Sequence, residues 1–322
     1  GETVTRDCAT CHARDSRIGA GIDLAGFVPP GAAIAASPIG AVRRGEGGLG
    51  LEPAADGRHV VGRTRGGLVD GIGFALFAIT ILGVAAHGGY RALTRFHGSP
   101  TGRPTRRAYM YTTYERIWHW LMAASILTLM VSGFAIHATG PGAWIPLSGW
   151  VSVHHAFAAI MTANAALSLF YHLASSAIRQ FLPRREGLPG AVGRQVAFYL
   201  QGIFLGQPHP TAKTEERRMN PLQQITYLAL LNVLFPLQVA TGALLYLAND
   251  RPAWIEALGG LPLIAPVHTM GSWLFITFFA VHLYLTTTGR TPLAYVRAMV
   301  TGYDEVDVEP AGKKGGEDAR RD

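Results

Sequence analysis

The chain has 322 residues, of which 49% are hydrophobic and only 15% are charged. This composition is too apolar for an ordinary soluble protein and indicates segments that span a membrane. The formal net charge is +7, but an excess of basic residues in a membrane protein more often marks its cytoplasmic loops than a nucleic-acid surface. We therefore expect a multi-pass membrane protein that binds no nucleic acid.

The two cysteines of the chain, Cys8 and Cys11, occur in the sequence CATCH and are followed directly by His12. This is the C-x-x-C-H pattern of covalent haem attachment, in which both thiols bond to the porphyrin and the imidazole ligates the iron. A redox disulfide and half of a zinc site are the alternatives, but the chain contains no second cysteine pair. The motif predicts one haem c.

Residues 1–67 are rich in Gly, Ala and Pro and show no sustained periodicity, so we expect a small irregular segment around haem c. Methionine is a frequent sixth ligand, but the first methionine of the chain is Met110. His59 is therefore the candidate partner of His12. A sixth position that is open, or that a partner protein fills, remains the alternative.

Five apolar segments follow, each long enough to cross about 30 Å of hydrocarbon. We predict an added first helix within residues 68–92, a core within residues 108–300 and a flexible tail at 301–322. The predicted spans are residues 68–90, 114–137, 151–174, 222–248 and 264–288. A shorter apolar stretch at 195–207 is expected to form an interfacial helix.

The charges of the loops predict how the chain crosses the membrane. Arginines are frequent after the first and third spans and scarce after the second and fourth. Because basic loops stay on the cytoplasmic side, we expect a periplasmic N-terminus and a cytoplasmic C-terminus in a bacterial inner membrane. This orientation agrees with the haem c motif, since haem c is attached outside that membrane.

Histidines within the spans predict two further haems. His268 and His282 are fourteen residues apart in the last span, which is about 21 Å along a helix and about 40° around it. Ionisable side chains inside a membrane are costly, and imidazole is a common axial ligand of haem iron. His268 and His155 are expected near the periplasmic surface, and His282 and His119 near the cytoplasmic surface. We therefore pair His268 with His155 and His282 with His119, and expect each pair to hold one haem b.

Two neighbouring histidines compete for these roles. His154 lies beside His155 at nearly the same depth, and we prefer His155 as the ligand. His172 lies at the level of His119 and His282, where we expect it to contact a haem propionate or to carry protons.

Four sequence features follow one another in a definite order over residues 108–300. They are WHW at 118–120, HAFAA at 155–159, NPLQQITY at 220–227, and the pair of histidines in the last span. Together they resemble the di-haem cytochrome b subunits of formate dehydrogenases, nickel-iron hydrogenases and thiosulfate reductases. The resemblance implies an all-α membrane bundle with a four-helix di-haem core, to which this chain adds one N-terminal span and the periplasmic haem c segment.

The resemblance also implies a quinone site at the start of the fourth span. Asn220, Gln223 and His282 would bind menaquinone or ubiquinone there. The alternative for Asn220 and Gln223 is that they simply cap a helix.

The expected function is electron transfer between membrane quinone and a periplasmic redox subunit or multihaem cytochrome, through two haems b and one haem c. The chain would act as a subunit of a hetero-oligomeric respiratory complex rather than as an enzyme on its own. Two alternatives are a transmembrane metalloreductase similar to cytochrome b561, and a non-catalytic membrane anchor for a haem c domain.

Overall fold

A computed structural model describes most of the chain between residues 22 and 308. The described ranges are 22–23, 40–45, 48–53, 67–95, 104–138, 147–183, 186–211, 213–215, 217–248 and 250–308. Cys8, Cys11, His12 and His59 lie outside these ranges, so the haem c site stays a prediction.

Within the described residues, five helices are long and apolar enough to cross a membrane. They are Gly67–Thr94, Thr113–His137, Leu147–Ala174, Pro221–Leu247 and Leu261–Thr286. The five predicted spans are therefore confirmed, and their bounds differ from the predicted ones by at most four residues.

Helices make up most of the described chain. In chain order they are α1 (Gly67–Arg95), α2 (Thr113–His137), α3 (Leu147–Ala174), α4 (Leu188–Ala197), α5 (Pro221–Ala229), α6 (Phe235–Leu247), α7 (Pro252–Ala257), α8 (Leu261–Thr286) and α9 (Ala294–Thr301). Two π-helical turns, Phe198–Gly202 and Leu230–Leu234, follow α4 and α5. A short 3₁₀ helix covers Ala177–Gln180.

The fourth span consists of α5, a π-helical turn and α6. Pro236 predicts a kink in this span, because proline lacks an N–H and its ring clashes with the carbonyl four residues earlier. The structure has the π-helical turn Leu230–Leu234 shortly before this proline. A π-helical turn widens the helix locally, so the span accommodates Pro236 without ending.

The predicted interfacial helix begins earlier than expected. The apolar stretch predicts it at 195–207, but α4 starts at Leu188, directly after Gly187, whose φ of 65° suits glycine. The π-helical turn Phe198–Gly202 then continues it. The apolar pattern alone does not mark the start, because the first turn of α4 contains Pro189 and Gly190.

In the described part of the chain, five strands form two small sheets. Strands β1 (Ile22–Asp23), β2 (Gly40–Gly45) and β3 (Gly48–Pro53) pair antiparallel in the order β1-β3-β2. Strands β4 (Thr105–Tyr109) and β5 (Tyr303–Asp307) form an antiparallel pair, with Ala108 opposite Asp304. The buried face of this second sheet contains Ala108, Met110 and Val306.

Strand β5 corrects the prediction of a flexible tail that begins at residue 301. The backbone N–H of Met110 donates to the carbonyl of Gly302 at 2.8 Å. Gly302 ends α9 with a φ of 87°, and the next five residues alternate between exposed and buried. The sequence YDEVD does not mark this strand, because its apolar residues Tyr303 and Val306 are three apart, whereas the buried face consists of Asp304 and Val306.

The contacts divide the chain into two compact units. The first unit comprises Gly1–Leu76, Leu121–Ala165 and Pro236–Ile276, and the second comprises Phe77–Trp120, Ala166–Phe235 and Thr277–Asp322.

In the second unit, ion pairs hold the segment that leads into α5. Lys213 Nζ lies 2.5 Å from Asp304 Oδ2, and Arg218 Nη1 contacts Glu115 Oε1 at 2.7 Å. Burial opposes the charge on Lys213, but the neighbouring Tyr111 and Asp304 outweigh it and raise the lysine pKa. The charged form of Lys213 is thus favoured, and it connects this segment to β5.

In the first unit, α1 contacts the core through one carboxylate and one glycine. Asp70 accepts hydrogen bonds from His137 Nε2 at 2.9 Å and from Trp273 Nε1 at 3.2 Å. One turn further on, a Cβ atom built on Gly73 would overlap the base of the Trp273 indole ring. Small residues of this kind let helices approach closely in a membrane.

Replacing Gly73 with Ala should destabilise the packing of α1. The overlap with Trp273 must be relieved by a shift of the helix or the indole, at a cost of about 1–3 kcal/mol. Gly71→Ala is the matched control, because nothing lies within 4 Å of a Cβ atom at that position. We expect the thermal midpoint of the detergent-solubilised protein to fall for Gly73→Ala only. Equal midpoints for the two variants would contradict this packing.

Candidate haem-binding sites

Two imidazoles face each other in the first unit. His154 of α3 and His268 of α8 have ring centroids 6.4 Å apart and ring planes at 72°. Ser132 Oγ lies 2.9 Å from His154 Nδ1, and Thr241 Oγ1 lies 3.0 Å from His268 Nδ1. Each histidine of the pair is therefore held by a hydroxyl from another helix.

These hydroxyls determine which ring nitrogen carries the proton. Ser132 and Thr241 each donate their own hydrogen to the carbonyl four residues earlier, at 2.7 Å in both cases. Their oxygens can therefore only accept, so Nδ1 of each imidazole must be the donor. Nε2 is left with its lone pair, as metal ligation by a neutral imidazole requires.

A glycine follows each of these hydroxyl residues and lies against the same imidazole. A Cβ atom on Gly133 would be 3.3 Å from His154 Cε1, and one on Gly242 would be 3.2 Å from His268 Cε1. Ser132-Gly133 of α2 and Thr241-Gly242 of α6 thus act in the same way, since the hydroxyl holds the ring and the glycine leaves space beside it.

Gln238 is a further polar residue at this pair. Its amide nitrogen lies 3.2 Å from His268 Nε2, which agrees with a lone pair on that nitrogen. Its carbonyl oxygen is buried without a hydrogen-bond partner in the described part of the chain. A buried amide oxygen with no partner costs about 1–3 kcal/mol, so a hydrogen-bond donor beside this oxygen would stabilise the site.

The structure places His154, and not the predicted His155, opposite His268. His155 is exposed and packs edge-on against Tyr246, with centroids 4.8 Å apart. Successive residues of a helix point about 100° apart, so only one of the two can face α8. Depth in the membrane could not separate them, since they differ by a single residue.

The second unit contains the other pair. His119 of α2 and His282 of α8 have ring centroids 6.4 Å apart and ring planes at 46°, so the two residues that were paired from the sequence do face each other. Phe278 stacks on His282 with centroids at 5.7 Å. His119 Nδ1 is buried and has no hydrogen-bond partner within the described residues.

His172, which was expected at the same level as His119 and His282, has other contacts in the structure. It is buried, and its Nδ1 donates to the carbonyl of Ser168 at 2.7 Å within the same helix. The rings of Trp118 and Phe181 enclose it at 5.9 and 5.2 Å. Its packing shows a side chain fixed by its own helix.

Both pairs have the spacing that one iron between two imidazoles requires. Metal–imidazole bonds of about 2.1 Å, with each ring centre roughly 1.1 Å beyond its nitrogen, would separate the centroids by about 6.4 Å. No group of three or more His, Cys, Asp or Glu that could hold a metal occurs among the described residues. Two protein ligands per iron suit haem, whose porphyrin supplies the other four.

Two of the three residues predicted to bind quinone, Asn220 and Gln223, form a capping box at the start of α5. Asn220 Oδ1 accepts from the backbone N–H of Gln223 at 2.9 Å, and Gln223 Oε1 accepts from the backbone N–H of Asn220 at 3.0 Å. Pro221 occupies the first turn. Both side chains therefore cap the helix, as the alternative interpretation predicted. The amide nitrogen of Asn220 does not take part in the cap and donates instead to the Tyr199 hydroxyl at 3.4 Å.

Comparison with known proteins gives the class. The family described as prokaryotic cytochrome b561 matches residues 110–302, so the chain belongs to this family. It is a multi-pass membrane cytochrome of the b type. The matched residues include both histidine pairs and exclude α1.

Several relatives are curated. The chain is 30% identical to the putative cytochrome YdhU of Escherichia coli over 207 residues, or 61% of this chain and 74% of that protein. It is 28% identical to a probable Ni/Fe-hydrogenase B-type cytochrome subunit of Azotobacter vinelandii, over 61% of this chain and 86% of that one. A putative protein-methionine-sulfoxide reductase subunit of Azospira oryzae is 24% identical, over 58% and 96%. No solved structure matches the chain.

The comparisons confirm the resemblance to nickel-iron hydrogenase cytochrome b subunits at the level of the family. The likeness to formate dehydrogenase and thiosulfate reductase subunits stays an expectation from the sequence.

Replacing His154 with Ala should remove one haem b, whereas His155→Ala should leave both in place. The two positions are adjacent on α3, but only His154 faces His268. Haem b per chain is measured by the pyridine haemochrome method, and low-spin haem signals by electron paramagnetic resonance. Haem loss in His155→Ala, with full haem content in His154→Ala, would reverse the assignment.

Proposed function

We propose that the protein transfers electrons between membrane quinone and a periplasmic redox partner, through two haems b and one haem c. The observation that carries the proposal is the pair of matched imidazole contacts: His154 with His268, and His119 with His282, each at 6.4 Å. One haem b would bind between the members of each pair.

The chain's own residues would hold and tune these groups. Each haem, when bound, supplies an iron that takes up and releases one electron. Ser132 and Thr241 fix the imidazole tautomer, and a hydrogen bond at Nδ1 makes an imidazole a stronger ligand. An iron held by this pair would thereby be stabilised in its oxidised form relative to an iron bound by imidazoles without such partners.

Contacts in the second unit support a quinone site near the start of α5. Tyr227 of α5 contacts Phe278 with centroids at 6.3 Å, and Phe278 stacks on His282. Asn220 is buried at the start of the same helix. The proposed site of Asn220, Gln223 and His282 thus contains polar groups that can bind a quinone carbonyl. The aromatic rings of Tyr227 and Phe278 connect the helix that begins at Asn220 with His282, a proposed haem ligand.

The partner is proposed from the relatives and from the N-terminal motif. Relatives are named as subunits of Ni/Fe-hydrogenase and of a methionine-sulfoxide reductase, which favours a hetero-oligomeric complex here too. Cys8, Cys11 and His12 would hold haem c, with His59 as its candidate sixth ligand, on the periplasmic side. A haem in that place favours exchange with a periplasmic redox subunit or multihaem cytochrome.

Replacing His282 with Ala should remove one haem b and should abolish the reduction of the remaining haem b by quinol. The purified protein is reconstituted in nanodiscs, and haem absorbance is followed after mixing with menadiol or a short-chain ubiquinol. We expect reduction of the wild-type haems b, and none by quinol in His282→Ala, because the first electron acceptor is lost. Dithionite should still reduce the remaining haem b in the variant.

The matched variant is His154→Ala, which removes the other pair. It should still accept an electron from quinol at the remaining haem b. Rapid quinol reduction of His282→Ala together with slow reduction of His154→Ala would place the quinone site at the other haem. A wild-type protein that neither quinol reduces would contradict the proposed function.

A further inference from the structure

Helix α1 lies outside the residues matched by the family, yet its C-terminal half makes specific polar contacts in the second unit. Arg91 is buried and donates to the carbonyl and the hydroxyl of Thr287 at the end of α8. A Cβ atom on Gly88 would lie 3.2 Å from the Tyr284 ring. A helix that served only to anchor an N-terminal segment would not need buried polar side chains, which are costly within a membrane.

His87 is the residue of α1 with the most defined partners. Its Nε2 lies 2.7 Å from the backbone carbonyl of Tyr199, and its Nδ1 contacts the hydroxyl of Tyr284. A carbonyl can only accept, so Nε2 carries the proton, and Nδ1 accepts from the Tyr284 hydroxyl. The ring also packs on Phe204, with centroids at 4.6 Å.

The π-helical turn explains why the Tyr199 carbonyl is free to accept this bond. In an α-helix it would accept from the backbone N–H of Ile203. The N–H of Ile203 donates instead to the carbonyl of Phe198, and that of Phe204 donates to Gln201. Single π-helical turns are frequent at functional sites, and here the turn releases one carbonyl that α1 then binds.

The side chain of the same tyrosine reaches the proposed quinone site. Asn220 Nδ2 donates to the Tyr199 hydroxyl oxygen at 3.4 Å. Burial of the ring, with a smaller effect of Tyr295, raises the pKa of this hydroxyl, although Asn220 and Gln195 lower it in part. The hydroxyl therefore keeps its proton at neutral pH and can donate it in a hydrogen bond.

We propose that the Tyr199 hydroxyl donates the hydrogen bond that recognises a quinone carbonyl, and that His87 of α1 positions Tyr199 by holding its backbone carbonyl. This inference rests on the proposed quinone function. The ligand class is a p-quinone or its quinol, with either a benzoquinone or a naphthoquinone ring. Helix α1 thereby contributes to a site whose other residues all come from the family core.

The test uses the full-length, haem-loaded protein in nanodiscs and follows the initial rate of haem b reduction at increasing menadiol concentration. The two haems b accept the two electrons of one menadiol, and the KM is the menadiol concentration that gives half of the maximal rate. Tyr199→Phe removes the donor and keeps the ring, so KM should rise about 3-fold to 10-fold, as expected for one lost hydrogen bond. His87→Phe should raise KM to a similar extent. His87→Gln keeps an N–H that can donate to a carbonyl, and it should restore much of the wild-type KM.

Two further variants separate positioning from a general loosening of α1. Asp70→Asn weakens the contacts of α1 in the first unit without touching Tyr199, and its KM should match that of the wild type. The double variant His87→Phe/Tyr199→Phe should be no worse than Tyr199→Phe alone, because both changes act on one hydrogen bond. Haem content, measured in parallel, should be unchanged in all variants.

The results separate failure of this inference from failure of the proposed function. If menadiol reduces the wild-type protein but KM is the same in Tyr199→Phe and His87→Phe as in the wild type, the inference is wrong and the quinone function stands. Additive effects of the two substitutions would also overturn it. If menadiol and ubiquinol both fail to reduce the wild-type protein, the quinone function itself is wrong.

Discussion

The structure depends on the orientation of a few buried imidazoles. A neutral histidine among apolar helices must satisfy an N–H donor and a lone pair, and an error in either costs about 1–3 kcal/mol. In the first unit this requirement is met on one side by Ser132 and Thr241, which bind Nδ1 of His154 and His268. On the other side of each ring, Nε2 keeps the lone pair with which a neutral imidazole would bind an iron.

The same requirement gives α1 its place in each unit. Asp70 accepts from His137 in the first unit, and His87 bonds to Tyr199 and Tyr284 in the second. Gly73 and Gly88 lie near these two contacts. Because glycine has no side chain, α1 can approach Trp273 and Tyr284 closely beside its hydrogen bonds. A helix that the family core lacks is thus attached by polar side chains, each with a named partner, rather than by apolar packing alone.

Much of this arrangement could be predicted from the sequence. The five spans follow from hydrophobic length. The pairing of His119 with His282 follows from the membrane depth that the loop charges and the span bounds assign to each histidine, and the two rings face each other in the structure. The preference for His155 differs from the structure, in which His154 faces His268, because the choice depends on the rotation of α3 about its axis, which depth does not report. Strand β5 was missed because five residues carry a weak pattern, and its pairing with β4 joins residues far apart in sequence.

The contacts of the Ser132 and Thr241 hydroxyls and of the Tyr199 carbonyl could not be predicted from the sequence either. Ser132 and Thr241 are ordinary helix residues in the sequence, and only the geometry shows that each binds a histidine. The π-helical turn Phe198–Gly202 leaves no clear mark in composition, yet it releases the carbonyl that His87 binds. Sequence patterns report which residues are buried, whereas these contacts depend on how helices rotate and where their hydrogen bonding shifts.

The central claim is that each imidazole pair holds one haem b, and the haem content of the purified chain tests it most directly. A pyridine haemochrome spectrum, combined with protein quantification and low-temperature electron paramagnetic resonance, gives the number, type and spin state of the haems. We predict two b-type haems per chain, both low-spin with two nitrogen ligands. A single haem b, or two of which one is high-spin in the intact protein, would contradict the claim.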